Sequence, residues 1–172
     1  MKKVCLLTLV SVVLFSCSKN SEQISIVKND IEKRMSDIEK KDIKYACIEM
    51  SDREAYNEIA EYHKKRQEKA QAENDEFMQK YKLGKYRITP LEEMETYELN
   101  IYLKWMELNK SYLSNVTRYQ NSYSEDINIL SKLKGENKYY KIIAVKTSPD
   151  TILHTKTYLD NNNKIINTEY LK

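Results

Sequence analysis

The sequence predicts an α+β protein, with long helices first and a small antiparallel sheet at its C-terminal end. Three observations carry that expectation. Apolar residues recur every three or four positions over two long stretches, about 52–82 and 90–133. After Gly135 the pattern changes to short runs of β-branched and aromatic residues separated by turn-forming residues. The chain has only two glycines and two prolines in 172 residues, which favours long regular elements over tight turns.

Each element has its own local reason. Ile24, Val27, Ile31, Met35 and Ile38 fall on one side of a helix over about 24–39, with Lys28, Asp30, Glu32, Lys33 and Asp37 on the other. Residues 43–50 fit two descriptions, a helix through Ile43, Cys47 and Met50 or an extended segment. Ser51-Asp52-Arg53-Glu54 has the form of a capping box, in which the Ser hydroxyl accepts from the Glu amide and the Glu carboxylate accepts from the Ser amide. A helix therefore starts at about 52. Ala55, Ile59 and Tyr62 give it an apolar face, and Phe77, Met78 and Tyr81 restore that face near its end. The stretch between is charged and reads as a solvated surface supported by pairs such as Glu61 with Lys65. Gly84 supplies a stop.

Thr89-Pro90-Leu91-Glu92 reads as the start of the longest helix, about 90–133, with Thr as cap and Pro at the first helical position. Leu91, Met94, Ile101, Trp105, Leu108, Tyr112, Val116, Tyr119, Tyr123, Ile127 and Leu130 mark its stripe. Ser122 and Glu125 offer a second capping box and hence a point where this helix would break. The two long helices are expected to form an antiparallel hairpin, joined by a shorter N-terminal helix. Strands are expected at about 139–147, 151–159 and 164–170, as a three-stranded antiparallel meander packed on the long helix. Residues 24–172 read as a single domain.

The first residues set location. Lys2 and Lys3 precede an uncharged apolar run from Val4 to Phe15, too short to span a bilayer but suited to a secretory signal. The run closes on Leu14-Phe15-Ser16-Cys17, which resembles the lipobox of bacterial lipoproteins. That resemblance implies a signal peptide over 1–16, cleavage before Cys17, a diacylglycerol on the Cys17 sulfur, and a short tether over 17–23. It covers about the first tenth of the chain. The Lys-, Asn- and Tyr-rich, Gly-poor composition is also similar in style to small lipoproteins of Bacteroidota. The implied place is the bacterial cell envelope, at the outer membrane or periplasmic face rather than the inner membrane.

Charge and cysteine content narrow the function. The chain has 29 basic and 26 acidic residues, and loss of Lys2 and Lys3 with the signal leaves 27 against 26. So even a balance argues against nucleic acid. Cys5 and Cys17 fall in the signal and its boundary, leaving Cys47 with no partner for a disulfide. Two glycines cannot build a glycine-rich phosphate loop. Fourteen tyrosines against two phenylalanines suggest aromatic faces that are half buried and half wet.

No residue set assembles an obvious catalytic or metal centre. His63 and His154 are the only histidines and lack metal-ligand spacing, so neither a metal nor a cofactor is expected. Cys47 reads as a buried small apolar residue rather than a nucleophile. Glu92, Glu93 and Glu95 suit the positive end of a helix dipole without further explanation. Asp160-Asn161-Asn162-Asn163 has oxygen ligands but lacks the Gly and distant Glu of an EF-hand, so it reads as a hairpin turn. His63-Lys64-Lys65-Arg66 is a basic cluster with an anionic headgroup as its imaginable partner, set among glutamates that make a solvated face the default. The Tyr stripe reads as core lining before it reads as a sugar-stacking platform. Asp150-Thr151-Ile152 resembles the O-glycosylation signal of exported Bacteroidota proteins, with Thr151 as the acceptor.

The expectation is a non-enzymatic lipoprotein, held at the membrane by Cys17, that binds another envelope protein through its helical face. A periplasmic immunity or inhibitor lipoprotein acting on a toxin or lysozyme-like enzyme is the alternative, and an envelope hydrolase the third reading.

Overall fold

A computed structural model describes residues 20–35, 42–80, 95–148 and 151–171. The protein is α+β, with three helices and a four-stranded antiparallel sheet among the described residues. The helices are α1 (Ser21–Glu32), α2 (Asp52–Lys80) and α3 (Thr96–Leu130). The strands are β1 (Lys44–Ser51), β2 (Lys138–Ser148), β3 (Thr151–Leu159) and β4 (Ile165–Tyr170), in spatial order β1-β2-β3-β4. The chain divides into two compact units: residues up to Asn57 with those from Lys132 onward, and Glu58–Ser131.

The sheet unit carries the largest correction to the sequence reading. The expected three-stranded meander is a four-stranded sheet, because residues 44–51 form β1 and pair antiparallel with β2. The segment is apolar on both sides, Tyr45 and Cys47 on one and Ala46, Ile48 and Met50 on the other, so its own pattern does not separate strand from helix. The open backbone edge of β2 decides the matter by offering it a full ladder of hydrogen bonds. Cys47, Ile142, Thr157 and Thr168 lie opposite one another in a row across all four strands. The short helix α1 covers this face. Val27 and Ile31 pack on Cys47, Ile142, Ala144 and Leu159. Val27, Ile142 and Leu159 are fully buried, each stabilising the fold by roughly 1.5–3 kcal/mol relative to exposure.

Turn chemistry closes the sheet. Between β3 and β4, Asp160 Oδ1 accepts from the amides of Asn162 and Lys164, at 2.9 and 2.8 Å, and Asn163 takes φ +61°. Asn is among the few side chains that tolerate that left-handed conformation. The Asn163 amide group also donates to Glu22 and its oxygen accepts from Gln23, tying the turn to the first turn of α1. Residues 21–23, expected in the tether, are therefore helical. Helix α1 starts before the expected 24 and ends at Glu32, short of the expected 39.

The capping box is present as drawn from the sequence. The Glu54 amide donates to Ser51 Oγ at 3.2 Å, and Glu54 Oε2 accepts from the Ser51 amide and hydroxyl, both at 2.8 Å. Asp52, fully buried, donates its amide to the Asn137 carbonyl and accepts from the Asn137 side chain at 2.7 Å. Helix α3 is unbroken through Ser122 and Glu125, so the second capping box starts nothing, and it ends at Leu130 instead of 133. Beyond it Gly135 adopts φ +83°. The Thr89-Pro90 start, and the ends of the helices expected at 82 and 90, lie outside the described residues.

Candidate functional site

The second unit is built on a seven-residue rhythm. On α3 the inward positions are Tyr102, Trp105, Asn109, Tyr112, Val116, Tyr119, Tyr123, Asp126 and Leu130, at alternating steps of three and four. That period of 3.5 is the seam of helices packed nearly parallel in axis. It differs from the apolar stripe of the sequence, because Leu108 and Ile127 point outward and the polar Asn109 and Asp126 point inward. On α2, Ile59, His63, Arg66, Ala70, Asn74 and Phe77 are among the buried or half-buried positions and repeat at steps of three and four. The charged middle of α2 is thus one-sided. Lys65 pairs with Glu61 at 3.3 Å and Lys69 with Glu73 at 3.8 Å on the outside, while His63 and Arg66 turn inward.

Contacts between α2 and α3 run in opposite senses along the two chains. His63 Nδ1 meets Asp126 Oδ2 at 2.6 Å. Arg66 donates to Tyr119 Oη from Nη2 at 2.9 Å and from Nε at 3.3 Å. The Phe77 and Tyr112 rings lie 5.0 Å apart, and Phe77 and Trp105 form the buried apolar end with Met78 and Tyr102 around them. One end of this unit is therefore aromatic and the other ionic.

The ionic end collects the titratable groups. The His63 and Asp126 side chains are 16% and 10% exposed, so their short contact is largely shielded from water. Asp126 is the only hydrogen-bond partner of His63 among the described residues. An Asp at Nδ1 can orient an imidazole for proton transfer, but that role also needs a substrate proton within reach of the ring. The geometry is equally that of a polar layer fixing helix register. Two turns away along α3, Arg118 Nη2 donates to Tyr119 Oη at 2.8 Å, so two guanidiniums share one phenolic oxygen. Burial works against Tyr119 ionising, yet the hydrogen bonds and charges of Arg66, then Arg118, outweigh it and hold the phenol below the usual tyrosine range.

A second feature lies along one flank of α3. Tyr102, Trp105, Met106, Asn109, Lys110 and Leu113 line a shallow groove of about 400 Å³. On that flank Leu103, Met106 and Leu113 are 48–53% exposed. Such a cluster of large apolar side chains on one helix surface is the kind of patch that marks interaction sites.

The residues singled out from the sequence are not brought together. Cys47 is buried in the sheet core, and His154 is exposed on β3. Glu95 stands at the N-cap position of α3 without a side-chain cap hydrogen bond, while Glu92 and Glu93 lie outside the described residues. Cys17 also lies outside them, as do Asp150 and the side chain of Thr151, which opens β3. Among the described residues no group of three or more His, Cys, Asp or Glu side chains is placed to hold a metal ion, and no helix is long and apolar enough to cross a membrane. Sequence reasoning missed Asp126, Tyr119 and Arg118. The signal was there in Trp105, Tyr112, Tyr119 and Asp126, spaced seven apart. No protein-family model, curated protein or solved structure matches the chain.

Proposed function

We propose a non-enzymatic, lipid-anchored protein of the bacterial cell envelope, tethered through Cys17, that binds another envelope protein through its helical face. In this reading α2 and α3 are the two arms of an antiparallel helical hairpin, supported by the opposite-running contacts His63–Asp126, Arg66–Tyr119 and Phe77–Tyr112. The observation that carries the binding role is the row of exposed Leu103, Met106 and Leu113 along one flank of α3. Exposing three large apolar side chains on one side of a helix is unfavourable in water, and a partner that covers them removes that cost. The lipobox resemblance at Leu14–Cys17 supports the anchor, with the outer membrane or periplasmic face as its place.

Metabolic labelling with an alkynyl palmitate tests the anchor. Wild type is expected to carry the label and sediment with membranes, and Cys17→Ala is expected to do neither. Unlabelled wild type, or label retained on Cys17→Ala, contradicts it.

A further inference from the structure

We propose that Arg66, Arg118 and Tyr119 form a binding site for a phosphate group. The two guanidiniums come from different helices and converge on one oxygen, Arg66 Nη2 at 2.9 Å and Arg118 Nη2 at 2.8 Å. Both also lie over the Tyr119 ring, at 5.2 and 4.7 Å from its centroid. Two like charges held this close repel each other, and a neutral phenol does not cancel either. The charge of Glu73 is felt at Arg66, but no carboxylate among the described residues lies within ion-pair distance of either guanidinium. Among the described residues neither arginine has an ion-pair partner, Glu73 is committed to Lys69 at 3.8 Å, and Asp126 is committed to His63 at 2.6 Å.

The hydrogen-bond inventory points the same way. Tyr119 Oη is the acceptor in every bond drawn to it, which leaves its own proton to donate. Each guanidinium has five N–H donors, of which Arg66 spends two and Arg118 one on Tyr119. The cluster therefore offers many donors, two positive charges and no acceptor of its own left to satisfy them. A phosphate monoester, with close to two negative charges and three acceptor oxygens, balances both arginines at once, and fork-shaped guanidiniums suit it geometrically. The site is open to such a ligand because Arg118 is exposed while Arg66 and Tyr119 are half-buried beneath it. The source of the phosphate is either free in solution or the headgroup of a phospholipid.

Calorimetric titration of inorganic phosphate into the full chain tests the site, with Arg66→Gln, Arg118→Gln and the nearby Lys64→Gln as variants. Arg118 and Lys64 are both exposed, so each variant keeps its fold, checked by circular dichroism and Trp105 fluorescence. Saturable binding is expected, weakened roughly tenfold or more by either arginine change and within about twofold of wild type in Lys64→Gln. A second arm measures binding to phosphatidylcholine vesicles with and without phosphatidic acid; any contribution of an anchor is common to both. An Arg118-dependent preference for phosphatidic acid assigns the headgroup, and phosphate binding without that preference assigns the free ion. The proposal is overturned by no saturable binding in either arm, or by losses as large in Lys64→Gln as in Arg118→Gln.

Discussion

His63 Nδ1 and Asp126 Oδ2 are 2.6 Å apart across α2 and α3, and they form a largely buried polar pair. The pair occupies inward positions of the seven-residue rhythm, where an apolar residue would pack in more than one register. A polar pair forgives no slip, since moving either partner leaves the other buried and unpaired.

Asp126→Ala should therefore destabilise the Glu58–Ser131 unit by roughly 2–3 kcal/mol, the cost of stranding a buried partner. The double replacement His63→Phe with Asp126→Leu should recover most of that loss. Urea unfolding followed by Trp105 fluorescence reads the effect, because the chain's single Trp is buried in this unit. A loss no smaller in the double variant would mean the pair holds more than register.

The start of α2 depends on Ser51. Ser51→Ala removes both the cap acceptor and the hydroxyl on Glu54, and should cost about 1 kcal/mol of stability. The Glu54 carboxyl is held below the usual glutamate range, first by the Ser51 amide, then by its hydroxyl. A lowered pKa means its contribution is present above the ordinary glutamate pKa and is lost as pH falls through the lowered value. Acid titration by circular dichroism should show that loss in wild type and a flatter profile in Glu54→Gln.

At the alkaline end Tyr45 is the late group. Burial, then the Glu32 carboxylate, push its pKa up to about 12. The sign is the reverse of Glu54. Stability from the neutral phenol is complete below the ordinary tyrosine pKa and is lost as pH rises through about 12. Tyrosinate absorbance should resolve Tyr119 among the first to ionise and Tyr45 among the last. Tyr119→Phe should remove the early component, and Glu32→Gln should move Tyr45 back toward the ordinary value.

Gly135 follows α3 with φ +83°, and a Cβ there would meet only Arg53 Cβ, at an ordinary 3.8 Å. Space is thus available, and the strain of Gly135→Ala is in the backbone alone. The expected loss is about 1 kcal/mol, read by thermal melting of the sheet unit. A neutral result would show that the turn relaxes away from the positive φ.

The legible parts of this fold are those whose information is local. Residues 152–157 alternate in burial as their sequence alternates, Asn163 sits where an Asn turn was expected, and Ser51 with Glu54 makes its reciprocal bonds. Strand β1 was ambiguous because Tyr45, Cys47, Ile48 and Met50 put apolar groups on both sides, and its partner β2 lies far along the chain. The candidate site was less visible still. A search for apolar periodicity selects Leu108 and Ile127, which are exposed, and passes over Asn109 and Asp126, which are inward. Arg66, Tyr119 and Arg118 mean nothing separately, since only the fold brings them to one oxygen.

The central claim is that the exposed row on α3 is a binding surface. A photocrosslinking amino acid placed at Met106 or Leu113 in living cells tests it most directly, with the outward-facing Lys69 on α2 as control position. The account predicts one crosslinked envelope protein from both α3 positions, absent from Lys69 and lost when Leu103→Asp is added. No discrete product, or the same product from Lys69 and undiminished by Leu103→Asp, would contradict it.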